Sequence, residues 1–425
     1  MSDLGWKYLT RGDKDAILQG IADGVAYGGP YHVEFHPADR CNVDCFFCST
    51  AALRGTDELP MPRFQELLGE LREAGCRSVR LAGGGEPLFH RKIRDFLLAI
   101  RSSGLPIENV TTNAVLLRSE VAEILADVCD QVTVSLNTAD SQGYGEMMQT
   151  NPRNFQRVVD NVKALIALRR QRRKRRPKVL LQYLVWKGNY RTIPEMYRLA
   201  REMGVDQILF NGLAFLPPEK KMTEAETDEM MALYEEVVRI DEYRTIAAIN
   251  SFEQDLSGRV AEMSHRLGAE RSGVSLPRKA ARFLTRDGFT LPEKVGHFQE
   301  RLRMRRSARA SQGLDSSCLI GWHSMVIRTT GAVAPCCILQ GKELGNVYRQ
   351  TVREVWHGEP YQRFRAELSR ILREGPAWTH DESADRTVDS LCGIKDACPI
   401  GTFYYKPDVP FLRSFNGVQK TLSYR

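Results

Sequence analysis

Short β-branched runs alternate with helix-period segments through the first half of the chain. The strand candidates are HVEF (32–35), SVRLA (78–82), NVTT (109–112), QVTVSL (131–136), KVLLQYLVW (178–186) and QILFN (207–211). Between them, apolar residues recur at helical spacing near 62–75, 90–103, 117–128, 154–170 and 190–204. The first of these segments ends at Gly75, which reads as a C-terminal cap. Six strands alternating with helices imply an α/β fold with a parallel sheet and crossover helices. An open doubly wound sheet and a partial TIM-like barrel both satisfy that pattern. Periodicity does not choose between them.

The pattern changes after about residue 215. TEAETDEMMALYEEVVRI reads as an acidic amphipathic helix with Thr223 as its N-cap and acids in its first turn. The remainder, up to 317, is charged and mostly helical, with no convincing strand. From Cys318 a smaller unit begins, with strands expected at SMVIRT (324–329) and AVAPCC (332–337). The expected organisation is a helical segment over 1–24, an α/β core over 25–215, a helical connector over 216–317 and a small C-terminal domain over 318–425.

Composition adds bounds. Hydrophobic residues make up 42% and charged residues 27% of 425 positions, ordinary values for a globular chain. The formal charge of +7 comes from one stretch, Arg169 to Lys178, which carries eight cations. The rest is close to neutral, so the basicity is local and unlike the broad field that binds nucleic acid. A solvated cationic helix end is the expected reading, with an anionic docking site as the alternative. No apolar run is long enough to span a membrane, and the first thirty residues hold no secretory apolar core. A cytoplasmic protein is expected.

Ten cysteines are too many for a reducing compartment unless they bind metal or catalyse. Cys41, Cys45 and Cys48 form C-x3-C-x2-C directly after the first strand. A structural zinc site wants four closed ligands. Three thiolates on one tight loop instead leave a corner open, which suits a 4Fe-4S cluster with one exchangeable position. Cys76 and Cys129 flank strand starts and read as core, and His36 and His323 as structural residues. At the end of the second strand, Gly83-Gly84-Gly85-Glu86-Pro87 combines backbone freedom for close approach with a carboxylate that can accept from an ammonium group. Ligand sites in parallel α/β folds lie at these carboxyl ends.

The C-x3-C-x2-C loop with Phe47 before its last cysteine, followed by Gly84-Gly85-Glu86-Pro87, resembles the radical S-adenosylmethionine (radical SAM) family over roughly residues 25–215. The resemblance implies a (β/α)6 partial barrel. It implies a 4Fe-4S cluster on Cys41, Cys45 and Cys48, with S-adenosylmethionine (SAM) chelated at the fourth iron. Phe47 would lie beside the adenine through its backbone, and Gly84, Gly85 and Glu86 would meet the methionine ammonium. Ser135 and Asn137 resemble ribose or carboxylate contacts. The arginine that relatives place soon afterwards has no match around Met147–Gln149.

Further on, Cys318, Gly331 and Cys336 are similar to the opening of the SPASM/twitch auxiliary-cluster motif. Leu344-Gly345-Asn346 and Glu354-Val-Trp356 follow, and then Cys392-x5-Cys398. The outer positions of the last block are Asp389 and Thr402. The resemblance therefore implies one auxiliary 4Fe-4S cluster on Cys318, Cys336, Cys392 and Cys398, with zinc as the bland alternative. Cys337 is left over as a substitute ligand, hydrogen donor or buried thiol. The aromatic tail Phe403-Tyr404-Tyr405 either lines the active-site mouth or packs on the surface.

Such an enzyme takes electrons from a flavodoxin or ferredoxin and cleaves SAM to a 5′-deoxyadenosyl radical. The auxiliary cluster would accept an electron from the substrate radical, giving a two-electron oxidation; in epimerisation Cys337 would instead return a hydrogen. About thirty residues precede the first strand, too few for a winged-helix leader-peptide module. That tilts the expectation to a small molecule, such as a sugar or aminocyclitol, with a ribosomal peptide as the alternative. A non-catalytic iron–sulfur or zinc protein is a third class, and it would need no ammonium-binding loop.

Overall fold

The computed structural model describes residues 6–48, 50–51, 54–213, 218–241, 247–250, 319–337, 339 and 342–374. In chain order the elements are α1 (Arg11–Asp23), β1 (His32–Phe35), α2 (Met61–Glu73), β2 (Ser78–Leu81), α3 (Ile93–Ser103), β3 (Ile107–Thr112), α4 (Ser119–Val128) and β4 (Cys129–Ser135). Then come α5 (Ser141–Met148), α6 (Asn154–Gln171), β5 (Lys178–Val185), α7 (Ile193–Met203), β6 (Gln207–Gly212), α8 (Glu224–Ile240) and β7 (Ala247–Asn250). The C-terminal elements are α9 (Ile320–His323), β8 (Ser324–Ile327), β9 (Ala332–Ala334), β10 (Gly345–Asn346), α10 (Val352–His357) and α11 (Glu359–Glu374).

One sheet joins all ten strands, in the order β10-β9-β8-β1-β2-β3-β4-β5-β6-β7. Strands β1 to β6 are parallel and strictly sequential. A doubly wound sheet reverses its order at a switch point; a barrel does not. The fold is therefore a partial α/β barrel.

Two differences from the sequence reading concern its edges. The connector was expected to hold no strand, yet β7 pairs in parallel with β6. Its four residues, AAIN, are too short to show a period of their own, and the exposed edge of β6 supplies the order. The C-terminal domain is not simply appended, because β8 pairs in parallel with β1, His32 opposite Ser324 and Phe35 opposite Ile327. Antiparallel β9 and β10 complete that side.

Strand alternation sorts the side chains. Phe35 faces outward, its ring 5.1 Å from Phe64 on α2, which in turn stacks on Phe96 of α3. On the opposite, inward face, Glu34, Arg80, Asn109 and Gln131 fall in register across four strands. They are wired together: Arg80 lies 3.5 Å from Glu34 and donates to Thr111 at 3.1 Å, while Thr133 donates to Asn109 at 3.1 Å. The lumen of this barrel is polar, unlike the branched apolar filling of a closed one.

Local signals behave as the sequence dictates. Thr223 caps α8 through a reciprocal box with Glu226. Gly75 takes a left-handed φ of +86° just beyond α2, and Cys76 N closes onto Leu71 O. The Arg-rich run is less solvated than expected. Arg169 is buried and donates to Pro177 O and Asp206, while Arg172 and Lys174 pair with Asp127 and Arg176 with Asp130. These carboxylates pair with four of the eight cations of the stretch. In the C-terminal domain, fully buried Arg365 of α11 donates to Gly321 O and Trp356 O and lies over the Trp356 ring, tying α9, α10 and α11 together. No described helix is long and apolar enough to cross a membrane.

Candidate active site at the carboxyl ends of the strands

Cys41, Cys45 and Cys48 lie on the loop leaving β1 at the carboxyl edge of the sheet. That loop is held by α5, whose last turn turns its free carbonyls on it. Asp44 N donates to Met148 O at 3.0 Å and Phe46 N to Met147 O at 3.4 Å. The Cys45 thiol reaches the Met148 thioether at 3.6 Å, Cys48 contacts the Thr50 hydroxyl at 3.2 Å, and Asn113 Nδ2 lies 3.8 Å from Cys41 Sγ. The thiols are close enough to repel one another as thiolates. Burial pushes Cys41 up and Cys45 up to about 12, with the neighbouring thiols adding to both. Binding a metal group therefore releases protons. Arg54 stands beside all three thiols and anchors the loop through Val43 O and Asp44.

The glycine turn after β2 packs closely against the segment before Cys41. Gly85 N donates to Ala38 O and Glu86 N to Arg40 O, so the turn is laced to the chain just before Cys41. A Cβ on Gly83 would lie 1.9 Å from the His36 ring, and one on Gly85 would lie 2.0 Å from Arg40 O. The close approach is chain against chain, and it sets where Glu86 sits. Glu86 is buried, and its carboxylate accepts from Thr112 Oγ1 (2.6 Å), Asn113 N (2.7 Å) and Leu88 N (3.1 Å). None of these donors is a cation. Desolvation outweighs them and pushes the carboxyl up to about 7.

That shift has a sign. Between the ordinary 4.5 and about 7 the folded state holds a proton that the unfolded chain has lost. Stability of the cofactor-free protein thus falls as pH rises through that window, by on the order of 3 kcal/mol. The expected observation is that wild type loses stability relative to Glu86→Gln between pH 5 and 8 in denaturant titrations. A pH-independent difference would remove the buried-charge account.

The other expected residues fall as follows. Phe47 is half-buried against the core, with its ring edge-on to Phe46. Ser135 ends β4 half-buried. Asn137 is fully buried with φ +61°, and its Oδ1 accepts from Leu184 N at 3.1 Å, stitching β4 to β5. His36 bonds Glu34 at 3.0 Å, and His323 stacks on His32. Cys76 and Cys129 are buried. Cys336 is buried beside half-buried Cys337, and Leu339 N donates to Cys336 Sγ at 3.3 Å. Cys318, Cys392, Cys398 and the 403–405 tail lie outside the described residues. Asn113, Thr112 and Met148 join the site without any motif to announce them; Thr112 and Asn113 are signalled only by their position at the carboxyl end of β3, and Met148, the last residue of α5, by nothing in the sequence. Among the described residues no three His, Cys, Asp or Glu side chains converge on a single ion. The donor set fits a cluster, in which each thiolate takes its own iron, and the uncompensated Glu86 fits a cationic ligand beside it.

A partial α/β barrel with a three-thiol loop over its carboxyl edge defines a cofactor-dependent enzyme class. Residues 35–200 match the radical SAM superfamily and form a domain of that kind. Residues 318–384 match the SPASM iron-sulfur cluster-binding domain. That match includes Cys318 and Cys336 and stops before Cys392 and Cys398. The chain is 29% identical over 169 residues to the probable GTP 3′,8-cyclase of Sulfurisphaera tokodaii, covering 40% of this chain and 51% of that protein. It is 24% identical over 185 residues to the tungsten-containing aldehyde ferredoxin oxidoreductase cofactor-modifying protein of Pyrococcus furiosus, covering 43% and 51%. The chain thus spans about half the length of these curated relatives. Among solved structures, Streptococcus suis SuiB bound to S-adenosylmethionine shares the fold, with a TM-score of 0.57, 19% identity, and coverage of 89% of this chain and 80% of that one. SuiB bound to precursor peptide SuiA aligns with a TM-score of 0.57 at 18% identity, covering 89% and 79%.

Proposed function

We propose that the protein cleaves SAM reductively at a 4Fe-4S cluster on Cys41, Cys45 and Cys48 and modifies a peptide. The observation that carries the cofactor half is Glu86, a buried carboxylate without a cation, laced through the glycine turn to the three-thiol loop. When bound, the cluster supplies the single electron that splits SAM into methionine and a 5′-deoxyadenosyl radical. Glu86 would receive the methionine ammonium, with Gly84 and Gly85 fixing its approach. Phe47, Ser135 and Asn137 would line the nucleoside side. A carbon radical requires that water be kept from the reacting atoms. Cys336, with Cys318, Cys392 and Cys398, would hold the auxiliary cluster that accepts an electron from the substrate radical, and Cys337 stands beside it.

Support for a peptide substrate comes from SuiB, whose fold aligns over most of both chains and which has been captured with its precursor peptide. This weighs more than the expectation of a sugar or aminocyclitol, which rested on the short segment before β1. A small-molecule reading keeps one observation in its favour, the sequence match to GTP 3′,8-cyclases. Deuterium transfer decides. Reconstituted protein with SAM and dithionite is offered deuterated synthetic peptides and, separately, deuterated GTP. Label in 5′-deoxyadenosine from peptide alone is the expected result; label from GTP alone would overturn the peptide assignment.

A further inference from the structure

Helix α5 places one group in the candidate site that the reading above leaves unused. Tyr144 is fully buried, and its hydroxyl has no hydrogen-bond partner among the described residues. Such a group is uncommon, because a buried O–H that gives up water normally finds an acceptor. Tyr144 and Met148 are four residues apart on one helix and so share a face. That face meets the cysteine loop: Met148 Sδ lies 3.6 Å from Cys45 Sγ, and the carbonyls of Met147 and Met148 hold the backbone of Phe46 and Asp44. The electrostatic surroundings of the phenol agree, since Cys45, Glu86 and Cys41 all act on it. Burial first, and these groups second, raise its pKa, so the hydroxyl keeps its proton. A phenylalanine would fill the same space. What the tyrosine adds is a neutral donor on the helix that holds the cysteine loop.

We propose that the Tyr144 hydroxyl donates a hydrogen bond to the sulfur of the cluster held by Cys41, Cys45 and Cys48, and thereby eases its reduction. This rests on the cluster assignment above. Reduction adds negative charge to the cluster, and a donor to its sulfur stabilises that charge, which moves the potential upward. Tyr144 is in this sense a positioning and tuning residue, not one that touches the reacting carbon.

The test is an anaerobic redox titration of the full chain in the absence of SAM, followed by electron paramagnetic resonance, with iron content measured alongside. Tyr144→Phe should keep its iron and shift the reduction equilibrium of the N-terminal cluster about tenfold towards the oxidised form, about 59 mV for one electron. The C-terminal signal should not move. Placing 3-fluorotyrosine at position 144, a stronger donor of nearly the same size, should shift the potential the opposite way; it also serves if the phenylalanine variant loses its cluster. An unchanged potential in both proteins overturns the proposal. So does an effect seen only with SAM present, which would assign the hydroxyl to SAM. Wild-type protein that binds no iron at the three cysteines defeats the cluster assignment itself, and the proposal with it.

Discussion

Alanine at Cys41, Cys45 and Cys48 together should lower 5′-deoxyadenosine formation by at least about 10³-fold, some 4 kcal/mol of barrier, while leaving a folded protein. Folding should survive because the loop is held by its backbone. Asp44 N and Phe46 N bond the carbonyls of Met148 and Met147, and Cys48 N bonds Cys45 O. None of these contacts needs sulfur. Iron should fall from about 8 to about 4 per chain, the C-terminal cluster remaining. Turnover at the wild-type rate from the triple variant would defeat the cluster assignment.

Gly85→Ala should be the most damaging conservative change in the barrel. Its new methyl would sit 2.0 Å from Arg40 O and 2.5 Å from Asp39 O, both backbone atoms that cannot rotate away. The glycine turn and the pre-cysteine segment would have to part, breaking the bonds from Gly85 N to Ala38 O and Glu86 N to Arg40 O. A loss of about 3 kcal/mol or more is expected in denaturant titrations. SAM affinity should fall with it, because Glu86 and Cys41 move apart. The control is Gly69→Ala, inside α2 with nothing within 4 Å of the new methyl. Removing a helix-interior glycine there should stabilise by up to about 1 kcal/mol. Equal behaviour of the two variants would refute the packing account of the turn.

Much of the barrel was legible because each strand carries its own signal. HVEF alternates polar and apolar positions and QILFN is a mostly apolar run, and both form strands where expected. The three-cysteine loop was legible for the same local reason. α5 was not: SQGYGEMM contains two glycines, and its stability comes from Asp140 capping Gly143 N and from packing on the cysteine loop. With α5 went Tyr144 and Met148, whose roles arise only when two distant segments meet. The glycine turn was legible, but one of its partners was not: backbone freedom predicts a close approach without saying to what, and the turn packs against His36–Arg40. The pairing of β8 with β1 lay beyond any local pattern, since neither sequence specifies its neighbour.

That last pairing bears on how the chain is made. During synthesis β1 emerges about 290 residues before the strand that covers its flank, so the barrel waits with one open ladder of amides and carbonyls. An open strand edge is a template for another copy of the same chain. Expressing residues 25–215 alone would make that temporary state permanent. Such a fragment should go to inclusion bodies, and a chaperone that shields the flank of β1 would be expected to rescue yield only for chains that still carry β8.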